Sequence, residues 1–367
     1  MMARIEFIEL HARWFRNISE LVLRPGPQLN VISGDNGQGK TSLLEALYFV
    51  AATRSFRAER LDGLRQRGAE QCVVRASIRE AEHIRQQSVA WAPGVRAVLL
   101  DGKKPERLST YATRTPVVVF HPGDIELVSA GAQGRRTLLD RVALYVEPTS
   151  GEARLGYVRA MRERRAALEA RGPEARDLEP FEQLMAEHGA RLAQSRALAA
   201  ERLIAELEKS FARLSSSTVE LGARYRAGGS GDVQSFAEQL RLRRTRDLRQ
   251  RVASFGPHRD ELELAIDGLA ARQHASQGQQ RVLALSLKLS ELACIREARA
   301  VEPVLLLDDV SSELDPARTG AVYDLVRSSD SQVFATTTRP ELFPTPVASP
   351  LSRVDFRLVS GALVGGG

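Results

Sequence analysis

Residues Gly34-Asp35-Asn36-Gly37-Gln38-Gly39-Lys40-Thr41 form a G-x-x-x-x-G-K-[ST] loop, and no other stretch restricts the possible folds so sharply. Such a loop works only where a buried strand delivers it and a helix leaves it. Its backbone N–H groups must converge on phosphate, and the helix N-terminus must add its dipole. The flanking text supplies both: residues 28–33 (QLNVIS) read as a short buried strand and residues 42–51 (SLLEALYFVA) as a helix. Gly34, Gly37 and Gly39 let the backbone wrap. The pattern casts Lys40 as the partner of the β- and γ-phosphates and the Thr41 hydroxyl as a Mg²⁺ ligand. A Gly-rich turn with a chance lysine is the competing reading, and the strand and helix on either side argue against it. The loop implies a nucleoside triphosphate site in an α/β fold.

Such a site needs an acid at the end of a second buried strand to hold Mg²⁺. Residues 304–307 (VLLL) are a continuous apolar run of the kind found in central parallel strands. Asp308 follows at its carboxyl end, where open α/β sheets place ligands, and is the expected metal ligand. Asp309 is expected on the other side, placed to polarise an attacking water. Two acids after a strand also suit a helix N-cap. The continuation Val310-Ser-Ser-Glu-Leu-Asp315, a loop before a predicted helix over 316–326, weakens that alternative.

Composition excludes several classes. No apolar stretch approaches the roughly 20 residues of a membrane span. The start, MMARIEFIEL, lacks a secretory pattern. Cys72 and Cys294 are too few and too far apart for a disulfide framework or metal site, and no pair of histidines has metal-ligand spacing. A cytoplasmic location is the expectation. The formal net charge of +6 favours an anionic partner, nucleic acid first. Arg162-Glu-Arg-Arg165 and Arg241-Leu-Arg-Arg-Thr-Arg246, continuing through Arg249 and Arg251, are the DNA candidates; solvated helical faces are the alternative.

Spacing suggests an architecture. Residues 71–78, 84–91 and 95–101 read as strands, with Asp101-Gly102 as a hairpin turn. Residues 150–171 and 180–214 read as long helices broken at Arg171-Gly172-Pro173. Leu203, Leu207, Phe211 and Leu214 make a helical stripe, expected to pack between the helices of this lobe. The expected division is a discontinuous ATP-binding head, 1–148 with 250–367, and an inserted helical lobe, 149–249. A helix of that length spans roughly 50 Å, far short of a chromosome-structuring coiled coil.

Two further elements resemble parts of the ABC-type ATPases. Ser276-Gln-Gly-Gln-Gln280, at the start of a predicted helix over 279–298, is similar to the ABC signature with Gln277 in place of the first glycine. Ser312-Glu313-Leu314-Asp315 is similar to the D-loop. In that superfamily the signature completes the site of the other protomer. The resemblance thus implies an ATP-dependent head-to-tail homodimer in which Ser276, Gly278 and Gln279 contact nucleotide.

The chain-wide text narrows this. Phe15-Arg16-Asn17, Arg54-Ser-Phe-Arg57, Val117-Val-Val-Phe-His-Pro-Gly-Asp-Ile-Glu-Leu127, Gly134-Arg-Arg-Thr-Leu-Leu-Asp140 and Phe255-Gly-Pro-His-Arg-Asp-Glu-Leu262 occur in order before the 305–315 segment. The set resembles the RecF family of DNA replication and repair proteins, over residues 1–140 and 246–340. The resemblance implies an ABC-type, SMC/Rad50-like head with an inserted mainly helical lobe, ATP and Mg²⁺ as cofactors, weak ATPase activity, and Arg16 among the nucleotide contacts. It implies binding to double-stranded and gapped DNA, RecR- and RecO-family partners that load recombinase, and a nucleoid-associated cytoplasmic location.

Departures from the family pattern fall in the sensor segments. Ala335-Thr-Thr-Thr-Arg339 has no switch histidine, as in the RecF/SMC branch, and lacks the acid expected near Arg339. Gly123 stands where the family has an acid, and Gly131-Ala-Gln-Gly134 replaces a Gly-x-Pro form. No glutamine occupies a Q-loop position; His121 or Asp124 is a substitute, and a capped turn is the better reading of both. A transporter nucleotide-binding subunit, another SMC-like chromosome ATPase and a nuclease-coupled relative are the alternatives. The Phe-Arg-Asn start and the missing switch histidine count against the transporter. The lack of further clustered acids in the C-terminal tail counts against the nuclease.

Overall fold

The computed structural model describes residues 3–58, 60–174, 178–215, 219–309, 330–342 and 352–364. Two compact units emerge, Met1–Asp124 with Ile295–Gly367, and Ile125–Cys294.

The first unit holds two sheets. Its strands are β1 (Ala3–Phe15), β2 (Ile18–Leu23), β3 (Leu29–Ser33), β4 (Cys72–Glu80), β5 (His83–Ala92), β6 (Val95–Leu100), β7 (Val117–Phe120), β11 (Val301–Glu302), β12 (Val304–Asp308), β13 (Val333–Thr337), β14 (Arg353–Val359) and β15 (Ala362–Leu363). One sheet runs β15-β14-β3-β13-β12-β7, with β14, β3, β13, β12 and β7 mutually parallel. β7, β12 and β13 are buried at every position, as a parallel sheet covered on both faces requires. The register sets Asp308 beside Thr336 and Thr337 beside Ser33. Three strands therefore deliver polar residues to one carboxyl edge.

The other sheet, β11-β1-β4-β5-β6 with β2 on β1, is antiparallel apart from the β1–β11 pair. β4 alternates buried and more exposed residues, the period-2 signature of one covered face. The expected Asp101-Gly102 turn is present: φ is +49° and +77°, and Leu100 bridges Lys103. Helix α1 (Lys40–Ala52) is apolar nearly all round. Its Leu47 and Val50 share one core with Phe7 and Val74 of the antiparallel sheet and Leu306 and Phe334 of the parallel one. α2 (Leu108–Ala112) carries the buried Tyr111, whose hydroxyl donates to the Val50 carbonyl at 2.6 Å.

The second unit comprises α3 (Glu126–Ser129), α4 (Ala132–Val146), α5 (Ser150–Arg171), α6 (Glu179–Leu214), α7 (Val233–Leu242), α8 (Arg244–Gln250), α9 (Ala271–His274), most of α10 (Gln277–Arg299), and a sheet of β10 (Leu269–Ala270), β9 (Glu261–Ile266) and β8 (Leu221–Arg226). It is wider than the 149–249 insert expected from sequence. The reason is its core, where Leu139 and Val142 of α4, Leu203, Leu207 and Phe211 of α6, Leu262 of β9 and Leu283 and Leu287 of α10 pack together. The α6 stripe thus faces α4, β9 and α10 rather than only its own lobe. No helix among the described residues is long and apolar enough to cross a membrane.

Candidate nucleotide site

The loop between β3 and α1 has the backbone its glycines allow. Gly34 (φ +154°) lies so close to the Leu358 carbonyl oxygen that a Cβ would sit 2.4 Å from it. At Gly39 (φ +106°) a Cβ would meet the Asn17 side chain at 2.7 Å. Lys40 curls over the loop, its Nζ donating to the carbonyls of Gly34 (2.6 Å) and Asp35 (2.9 Å). Burial lowers the Lys40 pKa, while Asp309, Asp308 and Asp35 pull the other way.

Across the cleft, the Thr41 and Thr336 hydroxyls both donate to Asp308 Oδ1 at 2.8 Å. Burial pushes the Asp308 carboxyl up, and these two hydroxyls hold it partly down. The Asp309 N–H donates to Thr336 Oγ1 at 3.0 Å. Asp309 leaves the strand with φ +48°. Asp308 and Asp309 both line a cleft of ≈ 550 Å³. Asn36, Gly37, Gly39, Lys40 and Thr41 form its loop wall. A hydroxyl and a buried carboxylate side by side are hard oxygen donors of the type Mg²⁺ takes when phosphate and water complete its shell. The donor set fits that ion.

The resemblance places Arg16 among the nucleotide contacts. It lines the cleft, but its guanidinium grips the buried Glu45 bidentately, both bonds 2.8 Å, and donates to the Gly63 carbonyl at 2.7 Å. Ser55 donates to the same carboxylate and Arg57 approaches it to 3.9 Å. The Phe15-Arg16-Asn17 and Arg54–Arg57 motifs therefore meet on Glu45, which holds Arg16 at the cleft. The Gln38 Oε1 accepts the Ser360 N–H at 2.6 Å.

Ser276 and Gln279 cap α10 reciprocally: Gln279 N–H donates to Ser276 Oγ (3.2 Å) and Ser276 N–H to Gln279 Oε1 (2.8 Å). With Gly278 they belong to the second unit, and Ser276 and Gln277 are exposed. The D-loop candidate 312–315 and the predicted helix 316–326 lie outside the described residues. His121 and Asp124 form the capped turn, with His121 N–H donating to Asp124 Oδ2 at 2.8 Å. Sequence reasoning missed Thr336 as the partner of Asp308; only the β12–β13 register reveals it.

Two sequence motifs turn out to be braces. Arg135 binds Glu261 bidentately (2.8 and 3.1 Å). Arg196 bridges Asp140 (2.7 Å) and the fully buried Asp260 (2.8 Å), and Tyr225 and the Gly228 N–H also donate to Asp260. The basic runs divide in the same way. Arg164 is buried between Glu182 (3.1 Å) and Asp247 (2.7 Å). Arg244 pairs bidentately with Glu182 (3.0 and 2.6 Å), and Arg243 stacks on Phe255. Arg246, Arg249 and Arg251 are exposed.

A loop-bearing parallel sheet, an antiparallel sheet across α1, and a largely helical unit inserted between the two halves define an ABC-type ATPase head of the SMC-like class. The model of the RecF/RecN/SMC N terminal domain family matches residues 6–354. The DNA replication and repair protein RecF of Anaeromyxobacter sp. (strain Fw109-5) is 40% identical over 372 residues, covering 98% of this chain and 99% of the relative. That of Myxococcus xanthus (strain DK1622) is 36% identical, covering 91% of each. The solved structure of the recombination mediator protein RecF with ATP, of the RecFOR pathway, superposes with a TM-score of 0.88 at 28% identity, covering 99% and 98%. A Pyrococcus furiosus Smc head shares the fold at TM-score 0.54, with 18% identity over 98% and 95%. This chain belongs to the RecF family of DNA replication and repair proteins.

Proposed function

We propose that this chain is an ATP-dependent DNA-binding protein of recombinational repair and replication restart. The observation that carries the reading is the convergence of Lys40, Thr41, Asp308 and Asp309 on one cleft. The likeness to RecF proteins, one of them solved with ATP, supports it. The 34–41 backbone and Lys40 hold the β- and γ-phosphates, and Thr41 and Asp308 hold Mg²⁺. When bound there, the ion would neutralise phosphate charge. Asp309 orients a water whose oxygen attacks the γ-phosphorus as the bond to the β,γ-bridging oxygen breaks. Turnover is slow. Ser276, Gly278 and Gln279 present a capped, exposed helix start to the nucleotide of a second copy, so ATP closes a head-to-tail homodimer. That dimer binds duplex DNA near single-strand gaps and helps RecR- and RecO-family proteins load recombinase, in the nucleoid-associated cytoplasm. Exposed Arg246, Arg249 and Arg251 meet phosphates, giving sequence-independent binding.

Sedimentation and gapped-duplex binding with ATP, with ADP and without nucleotide test this. Dimers and tight DNA binding should require ATP. Replacing Arg246, Arg249 and Arg251 by Ala should lower the salt slope by roughly 0.9 for each lost phosphate contact. Nucleotide-independent DNA binding by a monomer would overturn the reading.

A further inference from the structure

Gly34, Gly37 and Gly39 all have positive φ, +154°, +80° and +106°. A loop with so many glycines has much conformational freedom to lose. Lys40 restrains it from the cleft side. The opposite side is held by the last hairpin of the first unit. β14 and β15 are joined by Ser360 and Gly361, whose φ values of +47° and +80° make a tight two-residue turn. This turn clasps Gln38 twice: Ser360 N–H donates to Gln38 Oε1 at 2.6 Å, and Gly361 N–H donates to the Gln38 carbonyl at 2.9 Å. Asn17 completes the brace. A Cβ on Gly361 would lie 2.3 Å from the Asn17 carbonyl oxygen, and one on Gly39 2.7 Å from its side-chain amide. The Gln38 amide oxygen thus serves the turn.

We propose that Gln38 is a positioning residue, and that through it the Ser360–Gly361 turn holds the phosphate-binding loop in its nucleotide-receiving shape. The proposal rests on the nucleotide reading of residues 34–41. It makes the final hairpin part of the ATP site although none of its residues reaches the cleft. Gln38 and Gly361 act as one unit.

The test measures ATP and ADP affinity and melting temperature in the full-length protein. Gln38→Ala should weaken both nucleotides about five-fold, the worth of one hydrogen bond. Gln38→Glu adds a charge near the phosphates but keeps an acceptor for the Ser360 N–H, so at high salt, where the charge is screened, it should lose less affinity than Gln38→Ala. Gly361→Ala, outside the loop, should weaken binding at least as much as Gln38→Ala. The double variant should be no worse than the poorer single one. Unchanged affinity with a lowered melting temperature in Gln38→Ala would overturn the proposal, leaving only a structural tie. Weaker binding by Gln38→Glu than by Gln38→Ala at that high salt would also overturn it, because the retained acceptor would then contribute nothing. Lys40→Met separates the two levels. If it binds nucleotide normally, the site reading itself fails; if it loses nucleotide while the Gln38 and Gly361 variants do not, only this proposal fails.

Discussion

Asp308 and Asp260 are both buried aspartates beside strands, and they are partnered in opposite ways. Asp308 has hydroxyl donors, Thr41 and Thr336, and burial drives its carboxyl up. Asp260 is met by the Arg196 guanidinium, the Tyr225 hydroxyl and a backbone N–H. Burial works against the Arg196 charge, but Asp140 and Asp260 more than offset it and hold its pKa above the usual value. A buried acid met only by neutral donors is poised to take a cation from outside. One met by a guanidinium is already neutralised, and removing its partner harms the fold rather than the chemistry.

The largest expected effect tests the Asp260 side. Arg196→Met should cost about 3–5 kcal/mol of stability, because it strands Asp140 and Asp260 in the interior. Chemical denaturation checks this, and a loss below about 1 kcal/mol would erase the distinction. On the Asp308 side, Asp309→Asn should slow hydrolysis by about 100-fold or more with ATP binding kept, which single-turnover kinetics read. A parent-like rate would place the water-orienting group elsewhere. Asp308→Asn should weaken Mg²⁺-dependent ATP binding about ten-fold, the worth of one charged ligand, yet leave the melting temperature level or higher. Calorimetry of both quantities decides, and a large fall in melting temperature would make Asp308 a brace like Asp260.

The smallest effect concerns His258 in the Asp260 motif, between the Tyr157 hydroxyl (2.6 Å) and the Ala253 carbonyl (2.8 Å). Burial lowers its pKa; Arg259 and Arg136 add to this, while the Ala253 carbonyl and Asp260 oppose it. Protons therefore bind the unfolded chain first as pH falls through about 6.5. Stability is fully present above that value. Below it, stability declines with a limiting slope of about 1.4 kcal/mol per pH unit until the folded histidine titrates. His258→Gln should flatten this part of a denaturation–pH profile; an unchanged slope would assign it to other groups.

What the sequence made legible was local. The 34–41 loop carries its own instructions in consecutive residues, and VLLLDD announces a strand end. Thr336 and Glu45 were invisible because their roles depend on partners 28 and 29 residues away, fixed by strand register and by the packing of α1. Arg244 and Arg246 stand two residues apart and look alike in sequence, yet one is clamped on Glu182 and the other exposed. The extent of the second unit was not legible for a similar reason: the apolar faces of α4 and α10 declare burial without naming the core they join.

Helix α6 holds three attachments along a single axis. Glu182 near its start takes Arg164 and Arg244, Arg196 near its middle takes Asp140 and Asp260, and Leu207 and Phe211 enter the core shared with α10. From Glu182 to Phe211 the axis runs roughly 44 Å. A twist of this rod about its own axis would have to break ion pairs and core contacts together. Movement of α6 is therefore tied to all three attachments at once. Amide exchange along the middle of α6 should be the slowest in the unit, opening only when the whole unit unfolds.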